Sequence, residues 1–493
     1  MKYISTRDCS KVFTAAEAIV KGISDDGGLI VPSSFPLIDG KMLDELIESD
    51  YPERVAKVLS LYMDEFSYDE LLGYTRAAYS RFDGDPCPVV KIEDGEFVME
   101  LWHGPTCAFK DMALTVLPYL MTASKRKLGD NSRTLVLVAT SGDTGKAALE
   151  GFRDVEGTEI IVFYPEGGVS PMQKLQMITQ AGENVHVAGI KGNFDDAQRA
   201  VKKIFTAPDV IARMREKGIE MSSANSINWG RLAPQIAYYV SAYCDLVASG
   251  EIEKGDKINF AVPTGNFGNI LAGYYASRMG IPVNKLVVAS NQNNILYDFF
   301  STGEYDVNRK FFKTMSPSMD ILVSSNLERL LFEVSGRDDA AMREIYSSLA
   351  KTGKFSLDVS GLSPGMFEAG WLDEEETRDT MFNYYDLEEY VLDPHTAVAV
   401  GVYDDYASET GDATPAVIVS TASPYKFPCD VYNAIAEAKE TDPVKAVKKL
   451  HAFTAAECPE SILRLTSLPV RHTTVIEKDG AEQAVFDFVE GRR

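Results

Sequence analysis

The sequence predicts an α/β protein with mainly parallel sheets covered by helices on both faces, plus a small helical N-terminal domain and a helical insertion. Two observations support this fold class. Short apolar runs alternate with amphipathic helical segments, and these runs are apolar throughout rather than at every second residue. Such strands are buried on both faces, as in a parallel sheet between layers of helices. At 493 residues the chain is also too long for a single core, so several domains are expected.

The chain divides into three parts at turn-rich stretches or changes in composition. The first part contains a helix that begins after Thr14, with Glu17 at the capping-box position, and two or three further helices. The second part alternates strands and helices, except over an acidic helical stretch that looks like an insertion. We therefore predict a mostly helical N-terminal domain at residues 1–90, an α/β core at 91–428 with the insertion at about 294–392, and a C-terminal segment at 429–493.

The core strands are short apolar runs, and most lead through a glycine-rich loop into a helix. Ligands of such sheets bind beyond the carboxyl ends of the strands, where these loops lie. The loops are therefore the first place to look for function. The predicted strands are Glu96–Leu101, Thr134–Thr140, Glu159–Tyr164, Val185–Ile190, Lys257–Val262, Lys285–Ala289 and Ala416–Thr421, with a further short strand at Thr473–Ile476.

Composition argues against several classes of protein. The chain is 45% hydrophobic and 25% charged, its beginning lacks the apolar core of a signal peptide, and no apolar run could span a bilayer. Six cysteines and five histidines are scattered, without the spacing of a disulfide framework or a metal site. The net charge of −24 disfavours nucleic acid and anionic membranes as partners. We expect a soluble, cytoplasmic protein that holds no metal.

A lysine follows the first core strand and a Gly-Pro turn. Lys110 falls in the first turn of an apolar helix expected to run from about Ala108 to Lys127. The positive end of a helix dipole and burial among apolar groups both disfavour an ammonium there. A neutral amine can attack a carbonyl carbon and form a Schiff base. An ordinary surface lysine beside Asp111 fits the local pattern as well, and His103 in the preceding turn is either a base or a packed side chain.

Two glycine-rich loops are candidate anion sites. Residues 265–269 join a buried strand to an apolar helix, so their free N–H groups can face a phosphate. Residues 141–146 look like a Walker loop, but Thr140 replaces its first glycine and Ala147 replaces its metal-binding hydroxyl, which argues against an ATPase. A capped helix start explains 141–146 equally well.

Polar side chains also lie at the start of a long apolar helix and at the end of the last core strand. Asn225, Ser226 and Arg231 lie ahead of a long helix, and a guanidinium with amide and hydroxyl donors suits a carboxylate or a phosphate. A surface arginine with a capping asparagine is the alternative. Thr421 places a hydroxyl at the end of the last core strand.

Taken together, these motifs resemble the longer branch of the threonine synthases, within the tryptophan-synthase-β-like group of pyridoxal phosphate enzymes. The Asp26-Gly-Gly-Leu turn is similar to that branch's N-terminal domain, so the resemblance spans nearly the whole chain and is weakest over 294–392 and the tail. The motifs are His103-Gly-Pro-Thr-x-Ala-Phe-Lys-Asp, Ser141-Gly-Asp-Thr-Gly, Asn225-Ser-Ile-Asn, Arg231, Thr264-Gly-Asn-Phe-Gly-Asn and Thr421-Ala-x-Pro-x-Lys-Phe.

The resemblance implies a pyridoxal 5'-phosphate cofactor and assigns residues to it. Lys110 would hold the cofactor as a Schiff base and later move protons, Thr421 would face the pyridine nitrogen, and Asp143 would approach the phenolic oxygen. Many relatives carry Asn in place of Asp143, and many long-branch members carry His at Ser423, to which we assign no function. The cofactor phosphate would lie on Gly265, Asn266, Phe267, Gly268 and Asn269.

The resemblance also implies the substrate and the reaction. The enzyme would convert O-phospho-L-homoserine and water to L-threonine and phosphate, the last step of threonine biosynthesis, as a monomer or homodimer. Sibling enzymes, a serine/threonine dehydratase or a cysteine synthase, and a non-catalytic phosphate-binding module are the alternatives. The substrate carboxylate would bind to Ser141, Gly142 and Thr144, and the substrate phosphate to Asn225, Ser226 and Arg231.

Overall fold

Sixteen β-strands form four sheets within residues 1–140, 142–362 and 365–491, the parts of the chain that the computed structural model describes. Most of the predicted strands lie within two residues of their expected bounds. The strands are β1 Tyr3–Ser5, β2 Asp8–Phe13, β3 Ile30–Pro32, β4 Val89–Glu93, β5 Glu96–Glu100, β6 Arg133–Ala139, β7 Thr158–Pro165, β8 Val185–Ile190, β9 Ile219–Ser222, β10 Ile258–Pro263, β11 Val283–Ser290, β12 Glu304–Asp306, β13 Lys354–Ser356, β14 Phe367–Trp371, β15 Ala416–Ser420 and β16 Thr474–Ile476.

The helices begin mostly at polar caps or prolines, as local chemistry dictates. Thr14 and Glu17 form the predicted capping box of the first helix. The α-helices are α1 Ala15–Lys21, α2 Gly40–Ile47, α3 Tyr51–Tyr62, α4 Tyr68–Tyr79, α5 Asp111–Leu114, α6 Leu117–Lys127, α7 Asp143–Phe152, α8 Pro171–Ile178, α9 Phe194–Thr206, α10 Pro208–Glu216, α11 Trp229–Ser249, α12 Gly268–Arg278, α13 Ile295–Thr302, α14 Leu327–Val334, α15 Asp339–Thr352, α16 Glu374–Glu388, α17 Pro394–Thr410, α18 Pro428–Ile435, α19 Pro443–Thr454, α20 Glu460–Leu463 and α21 Ala481–Val489.

Two sheets form the core and confirm the predicted α/β class. The larger has the strand order β14-β11-β10-β15-β5-β4 and is parallel except for β4, which pairs antiparallel with β5. The smaller has the order β16-β8-β7-β6-β9 and is parallel throughout. In both sheets the carboxyl ends of the strands lead into the loops that the sequence analysis singled out.

The N-terminal part carries a small sheet as well as the predicted helices. β1 pairs antiparallel with β2 and with β3, a sheet that the sequence analysis does not predict. β1 and β3 span three residues each, too few to show a repeating pattern. This part packs on the start of α11, where Trp229 lies 5.4 Å from the ring of Tyr3 and 5.2 Å from that of Tyr62.

The helix expected from Ala108 to Lys127 is interrupted, so that prediction is wrong in its start and continuity. The segment forms α5 and α6, with a break between them. Pro118 causes the break, because it has no N–H to donate to the carbonyl of Leu114. Lys110 is the N-cap of α5, and its carbonyl accepts a hydrogen bond from the N–H of Leu114 at 2.9 Å.

The stretch 294–392 is more than a helical insertion. Its β14 pairs in parallel with β11 and forms an edge of the larger sheet. The sequence analysis misses this strand because Phe-Glu-Ala-Gly-Trp is not a continuous apolar run, and an edge strand does not need to be one. The tail likewise joins a sheet, since β16 extends the smaller one beside β8.

Candidate active site

A cavity of about 800 Å³ lies beyond the carboxyl ends of β6, β8, β10 and β15. It receives side chains from both core sheets and from the stretch 311–325. Most of the predicted site residues line it: Lys110, Asp143, Thr144, Asn225, Ser226, Arg231, Gly265, Asn266, Phe267, Gly268, Asn269 and Thr421.

Of the two remaining predicted residues, Ser141 lies outside the described residues. Gly142 is close by, but its N–H donates to the Thr140 hydroxyl at 2.9 Å, and it is not part of the cavity surface that the structure describes. A Cβ at Gly142 would lie 2.3 Å from the side chain of Gln173, so close packing explains the glycine.

The loop that precedes Lys110 is bent around a buried carboxylate. Asp111 accepts hydrogen bonds from the N–H of Thr106 at 2.8 Å and from its hydroxyl at 2.6 Å. A Cβ at Gly104 would lie 2.5 Å from the Asp111 carboxylate, so the motif requires glycine there. The N–H of Phe109 donates to the carbonyl of Thr421 at 2.8 Å. This loop therefore places Lys110 next to the end of β15.

Lys110 is half-buried in the cavity wall. Burial lowers the pKa of its amine to about 8, with Asp143 opposing the shift and Arg231 and Lys426 adding to it. α5 spans only four residues, so its dipole contributes little and burial is the main cause. Roughly a tenth of Lys110 is therefore the neutral, nucleophilic amine at pH 7, far more than for a lysine with an ordinary pKa.

Asp143, the first residue of α7, is buried beside cations. Its Oδ1 lies 2.8 Å from the Nζ of Lys426, and the side chain of Gln173 donates to the same oxygen at 3.2 Å. Burial alone would raise the pKa of Asp143, but Lys426 and Lys110 outweigh it and hold that pKa well below its usual value. The cavity thus contains a fixed negative charge near the Lys110 amine.

Ser318 contacts both Lys110 and Asp143. Its hydroxyl lies 3.2 Å from the Lys110 Nζ and 3.2 Å from the Asp143 Oδ2. Its N–H donates to the Nε2 of His395 at 3.1 Å, and the Nδ1 of His395 lies 2.7 Å from Asp393. These contacts assign the proton of the His395 ring to Nδ1.

The loop at 265–269 is shaped for an anion. A Cβ at Gly265 would lie 2.8 Å from the Ser318 carbonyl, and Phe267 has a φ of 63°. Asn269 is buried, and its Oδ1 accepts from the hydroxyls of Tyr238 at 2.5 Å and Tyr239 at 2.8 Å. Its Nδ2 is buried with no hydrogen-bond partner in the described chain. An acceptor in the cavity would satisfy that donor.

Arg231 is the second incompletely paired donor in the cavity wall. It is 3% exposed, its Nη1 donates to the carbonyl of Ala224 at 3.0 Å, and its Nε has no partner among the described residues. It forms no ion pair with a carboxylate in that part of the chain. Burial lowers the pKa of Arg231 to about 10. A buried guanidinium without an anion suits an anionic ligand.

The loop that leads to Arg231 is held by residues that the sequence analysis misses. Asn326 donates from its Nδ2 to the hydroxyl of Ser226 at 2.9 Å and to the carbonyl of Asn266 at 3.1 Å. The buried Arg329 donates to the carbonyls of Ile30 and Ile227 at 3.0 and 2.6 Å. Together they tie the N-terminal part and two loops of the cavity into one unit, with Ser226 beside the 265–269 loop.

The other residues singled out in the sequence analysis lie in the cavity wall or outside it, and we describe no hydrogen bond from them to another site residue. Asn225 lines the cavity but is exposed, and Thr144 and Thr421 also line it. His103 stacks on Trp102 at 4.3 Å and lies 2.7 Å from Glu100, outside the cavity surface that the structure describes. Ser423 caps the short turn at 424–426.

Lys426, Ser318 and His395 are site residues to which the sequence analysis assigns no role. Only Lys426 carries a usable signal, because a lysine that follows a buried strand inside an apolar stretch needs a carboxylate partner. Asp393 and His395 look like an ordinary helix start, and Ser318 lies in a loop without a motif.

The neutral amine can be tested directly. Labelling of Lys110 by an amine-selective reagent in the full-length, ligand-free protein should be half-maximal near pH 8, because only the neutral amine reacts. Peptide mass spectrometry across pH 6–11 measures the labelled fraction. Half-maximal labelling near the ordinary lysine value of about 10.4 would show that burial does not act on this residue.

Two further findings concern the kind of protein. No helix of the described residues is both long and apolar enough to cross a membrane. Those residues also contain no group of three histidine, cysteine, aspartate or glutamate side chains placed to hold a metal ion.

Comparison with protein families finds three families that match successive parts of the chain. Residues 2–79 match the family described as threonine synthase N terminus, and residues 86–363 match the pyridoxal-phosphate dependent enzymes. Residues 396–489 match the family described as threonine synthase, C-terminal.

Individual relatives are named threonine synthase or threonine synthase-like 1. Human threonine synthase-like 1 is 39% identical over 465 residues, which cover 88% of this chain and 60% of the human protein, so the chain spans only about three fifths of that relative. Threonine synthase of Schizosaccharomyces pombe is 38% identical, with 87% of this chain and 88% of the relative covered. The crystal structure of threonine synthase from Brucella melitensis with pyridoxal phosphate bound has a TM-score of 0.87 at 36% identity, covering 100% of this chain and 99% of that one. The chain therefore belongs to the threonine synthase family of pyridoxal-phosphate-dependent enzymes.

Proposed function

We propose that this protein converts O-phospho-L-homoserine and water to L-threonine and phosphate. One observation carries the proposal: a single cavity contains a lysine with a lowered pKa and two buried donors without partners, Asn269 Nδ2 and Arg231 Nε. A phosphorylated cofactor and a phosphorylated substrate together would satisfy both donors. A sibling enzyme that acts on an unphosphorylated amino acid would leave one of them unpaired.

The residues in the cavity fit pyridoxal phosphate. We assign Lys110 to the cofactor aldehyde, because its amine is neutral enough to attack a carbonyl. The buried amide of Asn269, with the loop from Gly265, suits the cofactor phosphate. Thr421 would face the pyridine nitrogen with a neutral hydroxyl, and Asp143, kept ionised by Lys426, would face the phenolic oxygen.

For the substrate we assign two anion sites. Arg231, with Asn225 and Ser226, would bind the phosphate, since a planar guanidinium matches phosphate oxygens and no carboxylate neutralises it in the described chain. Thr144 and the loop that includes Ser141 and Gly142 would bind the substrate carboxylate at the start of α7, where the helix dipole is positive.

The reaction requires several proton transfers at neighbouring carbons. When bound, pyridoxal phosphate supplies a conjugated ring that spreads negative charge away from the substrate. Lys110 removes the proton from Cα, and a proton is then lost from Cβ as phosphate leaves Cγ. Protonation at Cγ, addition of the hydroxyl of water at Cβ and return of a proton to Cα complete threonine. One mobile amine with a pKa near 8 can both accept and return protons at physiological pH.

Phosphate release from O-phospho-L-homoserine, with L-threonine identified by chromatography, tests the function. We expect one phosphate for each threonine. Release of ammonia and a 2-oxo acid from L-serine at a higher kcat/KM would instead favour a dehydratase. A colourless protein that takes up no pyridoxal phosphate would favour a binding module.

The assignment of Thr421 as a neutral partner of the pyridine nitrogen gives a prediction about product purity. Thr421→Asp should favour a protonated pyridine nitrogen, which makes the bound ring a stronger electron sink and diverts turnover into transamination. Pyridoxamine phosphate, quantified per threonine formed, measures that side reaction. Thr421→Ser should behave like the wild type, because it keeps a hydroxyl. Wild-type rate and purity in Thr421→Asp would mean that Thr421 does not contact the ring.

We also propose domain boundaries at about residues 90 and 428. The protein would be cytoplasmic and either a monomer or a homodimer. The strong negative charge of the chain supports solubility and disfavours nucleic acid as a partner.

A further inference from the structure

The hydroxyl of Ser318 bridges the two charged groups at the centre of the cavity. Its Oγ lies 3.2 Å from the Lys110 Nζ and 3.2 Å from the Asp143 Oδ2. An ionised carboxylate can only accept hydrogen bonds, so the hydroxyl proton of Ser318 is donated to Asp143. The lone pairs of the hydroxyl are then left to accept an N–H of Lys110.

The surroundings of Asp143 fix the direction of the hydrogen bond between Ser318 and Asp143. Lys426 lies 2.8 Å from its other oxygen and is itself held by the carbonyl of Thr106 at 2.8 Å. The pair is buried, so the carboxylate stays ionised and does not take a proton from Ser318. The serine hydroxyl consequently keeps its proton and its orientation.

The backbone of Ser318 is fixed from two further elements. Its N–H donates to His395 at the start of α17, and Asp393 orients that ring through Nδ1. Its carbonyl packs against Gly265, where a Cβ would come within 2.8 Å. The backbone of Ser318 is therefore held in place, and its hydroxyl can leave Lys110 only by rotating about χ1, which would break its hydrogen bond to Asp143.

We propose that Ser318 is a positioning residue, which accepts an N–H of Lys110 and so directs the nitrogen lone pair toward the substrate. A neutral amine has two N–H bonds and one lone pair, and binding one N–H restricts where the lone pair points. No proton is transferred to Ser318: the Lys110 lone pair takes the substrate proton, and the resulting ammonium keeps its hydrogen bond to the serine. This role rests on the proposed function of Lys110 as the proton carrier.

The test compares Ser318→Ala with Ser318→Thr, which keeps the hydroxyl at a residue that lines the cavity. Ser301→Ala, on the exposed end of α13, is the matched control. We expect kcat for O-phospho-L-homoserine to fall about ten- to a hundredfold in Ser318→Ala, with KM within about threefold of wild type. Ser318→Thr should recover kcat to within about threefold, and thermal unfolding checks that all variants fold.

A second readout needs no turnover. Amine labelling of Lys110 in the ligand-free, full-length chain should have a lower midpoint pH in Ser318→Ala, because the lost hydrogen bond also favoured the ammonium. An unchanged midpoint pH of Lys110 labelling in Ser318→Ala overturns the proposal, and so does a kcat of that variant within threefold of wild type. A loss of kcat that Ser318→Thr does not recover also overturns it. If the wild type releases no phosphate, the proposed function fails on its own, and the labelling midpoint alone decides the role of Ser318.

Discussion

Replacing Lys110 with alanine should abolish threonine formation, with kcat lowered on the order of 10³-fold or more, because both the covalent attachment and the proton carrier are lost. Phosphate release measures the loss. Borohydride reduction of the wild type loaded with pyridoxal phosphate, followed by peptide mapping, should place the cofactor on Lys110. Label on another lysine would overturn the assignment. Lys41→Ala, at a side chain 87% exposed, is the matched control and should keep wild-type activity.

The same variant should fold at least as stably as the wild type. The pKa of Lys110 is about 8 in the folded chain, below the ordinary 10.5, so the charged amine is disfavoured by folding. This destabilisation is fully present below pH 8 and disappears as the pH rises toward 10.5. Lys110→Ala removes it, so its melting temperature at pH 7, without ligand, should not fall below that of the wild type. A large fall would mean that Lys110 supports the fold.

Replacing Arg231 with alanine should separate this enzyme from its siblings. A charge-assisted hydrogen bond contributes roughly 1.5–3 kcal/mol, so kcat/KM for O-phospho-L-homoserine should fall about ten- to a hundredfold or more. Slow deamination of L-serine, which carries no phosphate, should be nearly unchanged. Affinity for pyridoxal phosphate should also change little, because its phosphate would lie in the 265–269 loop.

The measurement is a pair of kcat/KM values, for the phosphorylated and the unphosphorylated amino acid, in wild type and Arg231→Ala. Arg231→Lys is the matched variant, since it keeps the charge but loses the planar fork, and we expect an intermediate loss. An equal loss on both substrates would mean that Arg231 binds the carboxylate or supports the fold. A large loss of cofactor affinity would instead place Arg231 on the cofactor phosphate, which its loop approaches through Ser226.

Most of the architecture could be predicted from local sequence patterns. Continuous apolar runs predict the buried parallel strands, and β8 has the bounds that its pattern indicates. The pattern failed in two places, for different reasons. Pro118 divides the helix that follows Lys110 through a local effect, whereas β14 is an edge strand without a continuous apolar run, which tertiary context defines. Nothing in a local window distinguishes such a strand from a loop.

The sequence by itself determined the fold class, the loops that line the cavity and the lysine at its centre, because glycine loops, buried strands and helix caps depend on neighbouring residues. Tertiary structure alone decided what these residues face. Ser318 and Asp143 are 175 positions apart, and Lys426 meets Asp143 only where two sheets converge. A buried charge requires a partner, but only the path of the chain selects which residue becomes that partner.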